Sequence, residues 1–164
     1  MQSFRADEGI ETVIERYAGM VYGIALTHTR NQTDAEDVFQ EVFLAYHRKN
    51  PAFNDEEHRK AWLIRTAINC SKRVLGSSWR RKTVSIEEIS DVFTYEAQEQ
   101  GVVYDALCAL PLMYRVALHL FYFEDMTIEQ VGKALRAKPG TVKSRLSRGR
   151  VLLREKLKGE YFNE

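Results

Sequence analysis

Apolar residues return every three or four positions through nearly the whole of this 164-residue chain, and no run alternates as a strand would. Proline occurs only at Pro51, Pro111 and Pro139. That periodicity belongs to α-helices, so the chain reads as all-α. Helix starts are marked where a Ser, Thr or Asn stands three residues before a Glu or Gln, the spacing of a reciprocal side-chain cap. Thr33 with Glu36, Asn54 with Glu57, Ser85 with Glu88 and Thr127 with Gln130 fit it, and Pro111 suits the first turn of another helix. The spacing predicts helices over 10–29, 34–48 and 55–75. Gly76, Ser77 and Ser78 then interrupt the pattern, and the polar, acidic stretch 83–101 reads as a linker with at most a short helix after Ser85. Two small helical modules follow from this division.

The longest apolar run, Met20 to Leu26, is far shorter than the roughly 20 residues of a membrane span. Asp7, Glu8, Glu11 and Glu15 are out of place in a signal peptide, so a soluble intracellular protein without membrane insertion is expected. Cys70 and Cys108 stand alone, which suits buried thiols better than a disulfide or a zinc site. His28, His47, His58 and His119 are scattered, with no nucleophile or carboxylate constellation and no phosphate-cradling glycine loop beside them. No enzyme, metal site or cofactor is expected.

A net charge of +1 conceals a sharp segregation. Residues 1–57 carry −6, the acid-free block 58–82 carries +8, residues 83–130 carry −8 and residues 131–164 carry +7. A polyanion responds to local patches, so two basic blocks between acidic ones fit a nucleic acid held at two places, with acidic surface left for a protein. Solvated helix faces would account for any one run taken alone.

The C-terminal module ends in two helices joined by a tight turn. Thr127–Leu135 forms a short capped helix with Ile128, Val131 and Leu135 on one face, Arg136, Ala137 and Lys138 make the turn, and a longer helix opens at Pro139. A left-handed Arg136 would cost about 1 kcal/mol relative to Gly. At 100° per residue, Val142, Leu146, Gly149, Leu153 and Leu157 fall on one stripe, where Gly149 allows a close neighbour. Lys143, Ser144, Ser147 and Arg148 face away from it, and Arg145 lies nearer its flank. Cations at the start of a helix oppose its dipole, so surface solvation does not explain Lys143–Arg148 as it explains Arg154–Lys158. A recognition helix entering a major groove does.

These residues carry a resemblance. Leu110-Pro111, Met126-Thr127, Glu129, Leu135 and Gly140-Thr141-Val142-Lys143-Ser144-Arg145-Leu146 are similar to region 4 of the extracytoplasmic-function (ECF) sigma factors, group 4 of the sigma-70 family. Asp34-Ala35-Glu36-Asp37-Val38 with Gln40-Glu41-Val42-Phe43 resembles the core-polymerase-binding helix of region 2, and Ala61-Trp62-Leu63-Ile64-Arg65 with Asn69 resembles its promoter-melting helix. The resemblance implies a region 2 bundle over 1–77, a flexible linker over 78–101 and a region 4 helix-turn-helix over 102–164. It implies a cytoplasmic sigma factor that docks on core RNA polymerase, through the largest subunit's clamp helices and the flap, and directs initiation at promoter DNA. An anti-sigma factor is a further implied partner. Asp37, Gln40 and Glu41 would meet core polymerase, and Lys143, Ser144, Arg145, Ser147 and Arg148 the −35 element. Phe53, Trp62, Arg65, Asn69, Lys72 and Arg73 would recognise and melt the −10 element.

Melting DNA without ATP calls for aromatic and amide groups beside cations, which block 53–82 supplies. Trp62 serves equally well as core, whereas an exposed Asn69 in a basic helix suits a base edge. A stand-alone helix-turn-helix regulator is the rival reading. It accounts for residues 105–158 but gives no role to the Asp34–Glu41 helix or the 59–82 block.

Overall fold

The computed structural model describes residues 9–81 and 101–161, with side chains through Ser77 in the first stretch and Gly159 in the second. The Ser85/Glu88 cap and most of the expected linker lie outside the described residues. Two compact units divide the chain, residues 1–81 and 82–164.

The first unit is a three-helix bundle of α1 (Ile10–Thr29), α2 (Gln32–Lys49) and α3 (Glu56–Arg81), each packed on the other two. Val13, Val21 and Ile24 of α1, Ala35, Val38 and Val42 of α2, and Leu63, Ala67 and Ile68 of α3 are buried completely and form its core. Helix α1 ends at Arg30, whose left-handed backbone (φ 55°) sends its N–H to the Leu26 carbonyl at 2.8 Å. Helix α2 closes the same way at Asn50, φ 41°.

Three sequence expectations need correction here. The α2 cap is Asn31 and not Thr33: Asn31 Oδ1 accepts from the Asp34 N–H at 2.9 Å, because the reversal at Arg30 delivers Asn31 to the helix axis. At α3 it is Asp55 Oδ1, not Asn54, that accepts from the His58 N–H at 2.7 Å. The expected break at Gly76–Ser78 does not occur, and α3 runs on to Arg81. A glycine costs a helix only about 1 kcal/mol relative to Ala, and the Ser77 hydroxyl returns its proton to the Arg73 carbonyl at 3.2 Å instead of competing with the ladder.

In the second unit, residues 101–108 form α4, followed by α5 (Leu112–Leu118), α6 (Ile128–Leu135) and α7 (Pro139–Tyr161). Pro111 precedes the first turn of α5, and its carbonyl accepts from the N–H groups of Tyr114 and Arg115 at 3.0 and 3.1 Å. Arg115 is buried, where its Nη1 donates to the Leu110 carbonyl at 3.1 Å. A π-helical turn, His119–Phe123, follows α5 directly. Leu107, Leu118, Leu120, Val131, Val142 and Leu146 fill the core. Leu153 and Leu157 are only half-buried, so the apolar stripe of α7 is covered at its N-terminal end and progressively exposed beyond Gly149.

Candidate nucleic-acid interface

Local rules build the α6–α7 hairpin. The Thr127 hydroxyl accepts from the Gln130 N–H at 3.1 Å and the Gln130 amide oxygen accepts from the Thr127 N–H at 2.9 Å, which completes the expected reciprocal cap. Helix α6 stops at Arg136, left-handed at φ 55° as the turn requires. The Ala137 N–H reaches the Gly132 carbonyl at 2.8 Å, and the turn folds back so far that a Cβ on Gly132 would lie 2.7 Å from the Ala137 carbonyl oxygen. Gly132 is therefore required by the turn, a need that a lone glycine near a helix end gave little sign of. Gly149 permits close packing: a Cβ there would lie 3.0 Å from Leu118 Cδ1 and 3.4 Å from Tyr114 Cβ, so Leu118 would have to shift to admit one. With Val142, Leu146 and Gly149 buried, α7 is seated on α5, and Lys143, Ser144, Ser147 and Arg148 are all exposed while Arg145 is half-buried on the flank. Two further residues join this surface that sequence reasoning missed. Val151 is 50% exposed beyond Arg148, and Tyr122, on the π-helical turn, accepts a bond from Arg150 Nη1 at 2.9 Å. The bond between Tyr122 and Arg150 had no visible signal, since the two lie 28 positions apart.

In the first unit the acid-free helix α3 presents Asn69 and Lys72 to solvent, with Trp62 and Arg65 half-buried on the same side. Phe53 does not join them. It is 9% exposed, in a ring cluster with Tyr46 (centroids 6.1 Å), His58 (5.2 Å) and Trp62 (6.1 Å). A base could stack on Phe53 only by opening that cluster, in which the ring packs edge-on against Trp62.

Arg73, also expected at the DNA face, reaches across to α2. Its Nη2 donates to Glu41 Oε2 of α2 at 2.8 Å and to Cys70 Sγ at 3.3 Å. Burial pushes the Cys70 thiol above its usual range, and the Arg73 charge opposes that shift. Arg73, Val74 and Ser77 form one wall of a shallow groove of about 330 Å³ whose other wall is Asp34, Asp37, Gln40, Glu41 and Leu44 of α2. The three residues expected to meet polymerase are thus gathered on one exposed ridge, joined by Leu44, an apolar side chain 49% exposed. Among the described residues no group of His, Cys, Asp and Glu could hold a metal ion, and no helix is long and apolar enough to cross a membrane.

Residues 13–81 match the family description Sigma-70 region 2, and residues 100–153 match Sigma-70, region 4. The chain belongs to the sigma-70 family, in its ECF branch. It is 28% identical to the ECF RNA polymerase sigma-E factor of Haemophilus influenzae, an alignment covering 88% of this chain and 85% of that one. It is 29% identical to the ECF RNA polymerase sigma factor SigE of Mycolicibacterium smegmatis, over 90% of this chain and 61% of the relative. Among solved structures, the fold is similar to that of the sigma factor RpoE in complex with the anti-sigma factor NepR from Bartonella quintana, with a TM-score of 0.72, 22% identity, and coverage of 90% and 96% of the two chains. CnrH in complex with the cytosolic domain of CnrY is similar at a TM-score of 0.67 and 20% identity, over 94% of this sigma factor and 92% of that chain.

Proposed function

We propose that this sigma factor docks on core RNA polymerase through the Asp37, Gln40 and Glu41 ridge of α2, traps the melted −10 strand along Trp62, Arg65, Asn69 and Lys72, and reads −35 DNA with the start of α7. One observation carries the reading. Beyond the exposed opening at Pro139, Gly140 and Thr141, the exposed side chains of the first three turns of α7 are Lys143, Ser144, Ser147 and Arg148, while the helix is anchored by its opposite face. Long cations and short hydroxyls on a rigidly seated helix are what base edges and phosphates in a major groove require. Lys143 and Ser144 lie nearest the helix start, Arg148 projects from the side opposite the buried stripe and reads a base, and Arg145 serves a phosphate.

Arg73 is assigned to the polymerase side of α3, because its bond to Glu41 makes it part of the α2 groove. The −10 module is assigned to residues 1–81, since α3 continues to Arg81, and the −35 module to 102–164. The protein acts in the cytoplasm, without catalysis of its own. Likeness to RpoE, whose structure carries an anti-sigma factor, supports an anti-sigma factor as a third partner after core polymerase and promoter DNA. A free-standing regulator would leave the acidic ridge of α2 without a purpose.

Transcription with bacterial core polymerase on genomic templates tests the assignment. Initiation at defined promoters that requires both core and this protein is expected; specific duplex binding with no core complex would convert the reading to a regulator.

A further inference from the structure

Arg59 stands in the first turn of α3 and is 1% exposed, the largest side chain in the chain to be buried so completely among the described residues. Withdrawing a guanidinium from water is costly unless its charge is met by fixed partners. Its Nη1 donates to Glu56 Oε1, an oxygen that also receives Arg16 Nη1 at 3.1 Å. The other oxygen, Glu56 Oε2, accepts the Tyr17 hydroxyl at 2.5 Å. The guanidinium carbon of Arg59 lies 5.8 Å from the centre of the Phe53 ring, within reach of its π face. Phe53 in turn packs edge-on against Trp62.

Arg59 therefore joins the opening of α3 to the loop between α2 and α3, and Glu56, its partner within α3, carries the link on to Arg16 and Tyr17 of α1. An apolar residue of similar volume would fill the same space without desolvating a charge, and such exchanges are often neutral or stabilising. Filling space is thus a poor account of Arg59, and fixing direction is a better one: Nη1 is held by Glu56, itself held by Arg16 and Tyr17 of α1, while the cation faces Phe53. We propose that Arg59 is a positioning residue for −10 recognition, setting the Phe53 ring and through it the exposed face of Trp62 that lies in line with Asn69. This rests on the −10 assignment above.

The test uses the full-length protein with core polymerase and a promoter library randomised through the −10 element. For Arg59→Met the −10 preference is expected to flatten by about fivefold, the range of a coupling carried through packed neighbours, with core affinity and −35 preference within about twofold of the parent. Arg59→Lys, which keeps the charge and loses the fork, should recover part of the preference. A change in stability alone would not alter which −10 bases are selected. If Arg59→Met does not fold, Glu56→Gln, which loosens the same guanidinium at constant volume, is read in the same library. Parental −10 preference in the folded variant overturns the proposal. A parent protein that shows no −10 preference overturns the underlying assignment instead.

Discussion

Arg73 Nη2 and Glu41 Oε2 bridge the groove between α3 and α2 at 2.8 Å, an ion pair with both partners well exposed to solvent. Such a pair is worth about 0–1 kcal/mol, so Arg73 is a weak internal competitor for any basic partner of Glu41. Arg73→Ala should raise affinity for core polymerase by up to about fivefold, and Asp37→Asn with Glu41→Gln should lower it while duplex binding by the second unit is unchanged. Competition binding with labelled core checks both. A melting defect in Arg73→Ala at unaltered core affinity would return this residue to the DNA face.

Arg148 and Arg145 should separate in a randomised −35 library. Removing a guanidinium that grips guanine O6 and N7 costs about 1–3 kcal/mol and relaxes the choice at one base pair, whereas losing a phosphate contact weakens all sites alike and flattens the salt dependence. Arg148→Ala is expected to do the first and Arg145→Ala the second. Unchanged selection by Arg148→Ala would refute its base-reading role.

Asn69→Ala should slow open-complex formation on duplex promoters and be rescued in part by premelted templates. Phe53→Ala should instead lower the unfolding temperature, since emptying a buried aromatic site costs about 3–5 kcal/mol. A Phe53→Ala protein of parental stability with a pure melting defect would restore direct DNA contact to Phe53.

Arg136 holds φ 55° at the end of α6, a conformation glycine adopts without a Cβ penalty. Arg136→Gly should stabilise the protein by about 1 kcal/mol, seen as a higher denaturation midpoint. A lower midpoint would show that the arginine side chain contributes more than its backbone costs.

Tyr17 provides a pH test. Burial, reinforced by its bond to Glu56, pushes its hydroxyl from 10.0 up to about 12. A group whose folded value is raised stabilises fully below its unfolded value, so this contribution is complete below pH 10 and is lost as pH rises toward about 12. Tyr17→Phe should remove that part of the alkaline decline in stability. Identical alkaline profiles for the two proteins would contradict the shift.

The sequence showed local structure well and cross-helix structure poorly, for physical reasons. Helix α1 runs over Ile10–Thr29 as its periodicity requires, and the Thr127/Gln130 cap forms because both partners lie within one turn. The choice of Asn31 over Thr33 depended on the direction in which Arg30 reverses the chain, which no local pattern encodes. On α7 the exposed and buried faces follow from 100° steps alone, so Lys143, Ser144, Ser147 and Arg148 stand on the exposed side as the periodicity requires. The bond from Arg73 to Glu41 was not visible, because a charge count along one helix cannot see the next. Phe53 and Arg59 escaped for the same reason: a flanking loop aromatic and a basic residue in a basic block look exposed until Tyr46, Trp62 and Glu56 close around them.

Gly149 lets α7 sit directly on Leu118, so the side of the helix that anchors it and the side that faces outward share no residue. The outward letters at 143, 144, 147 and 148 can then be rewritten while the seat stays as it is. Under the proposed −35 reading, one scaffold of this kind could take new −35 preferences by exchange at those four positions, with the −10 preference left to the first unit.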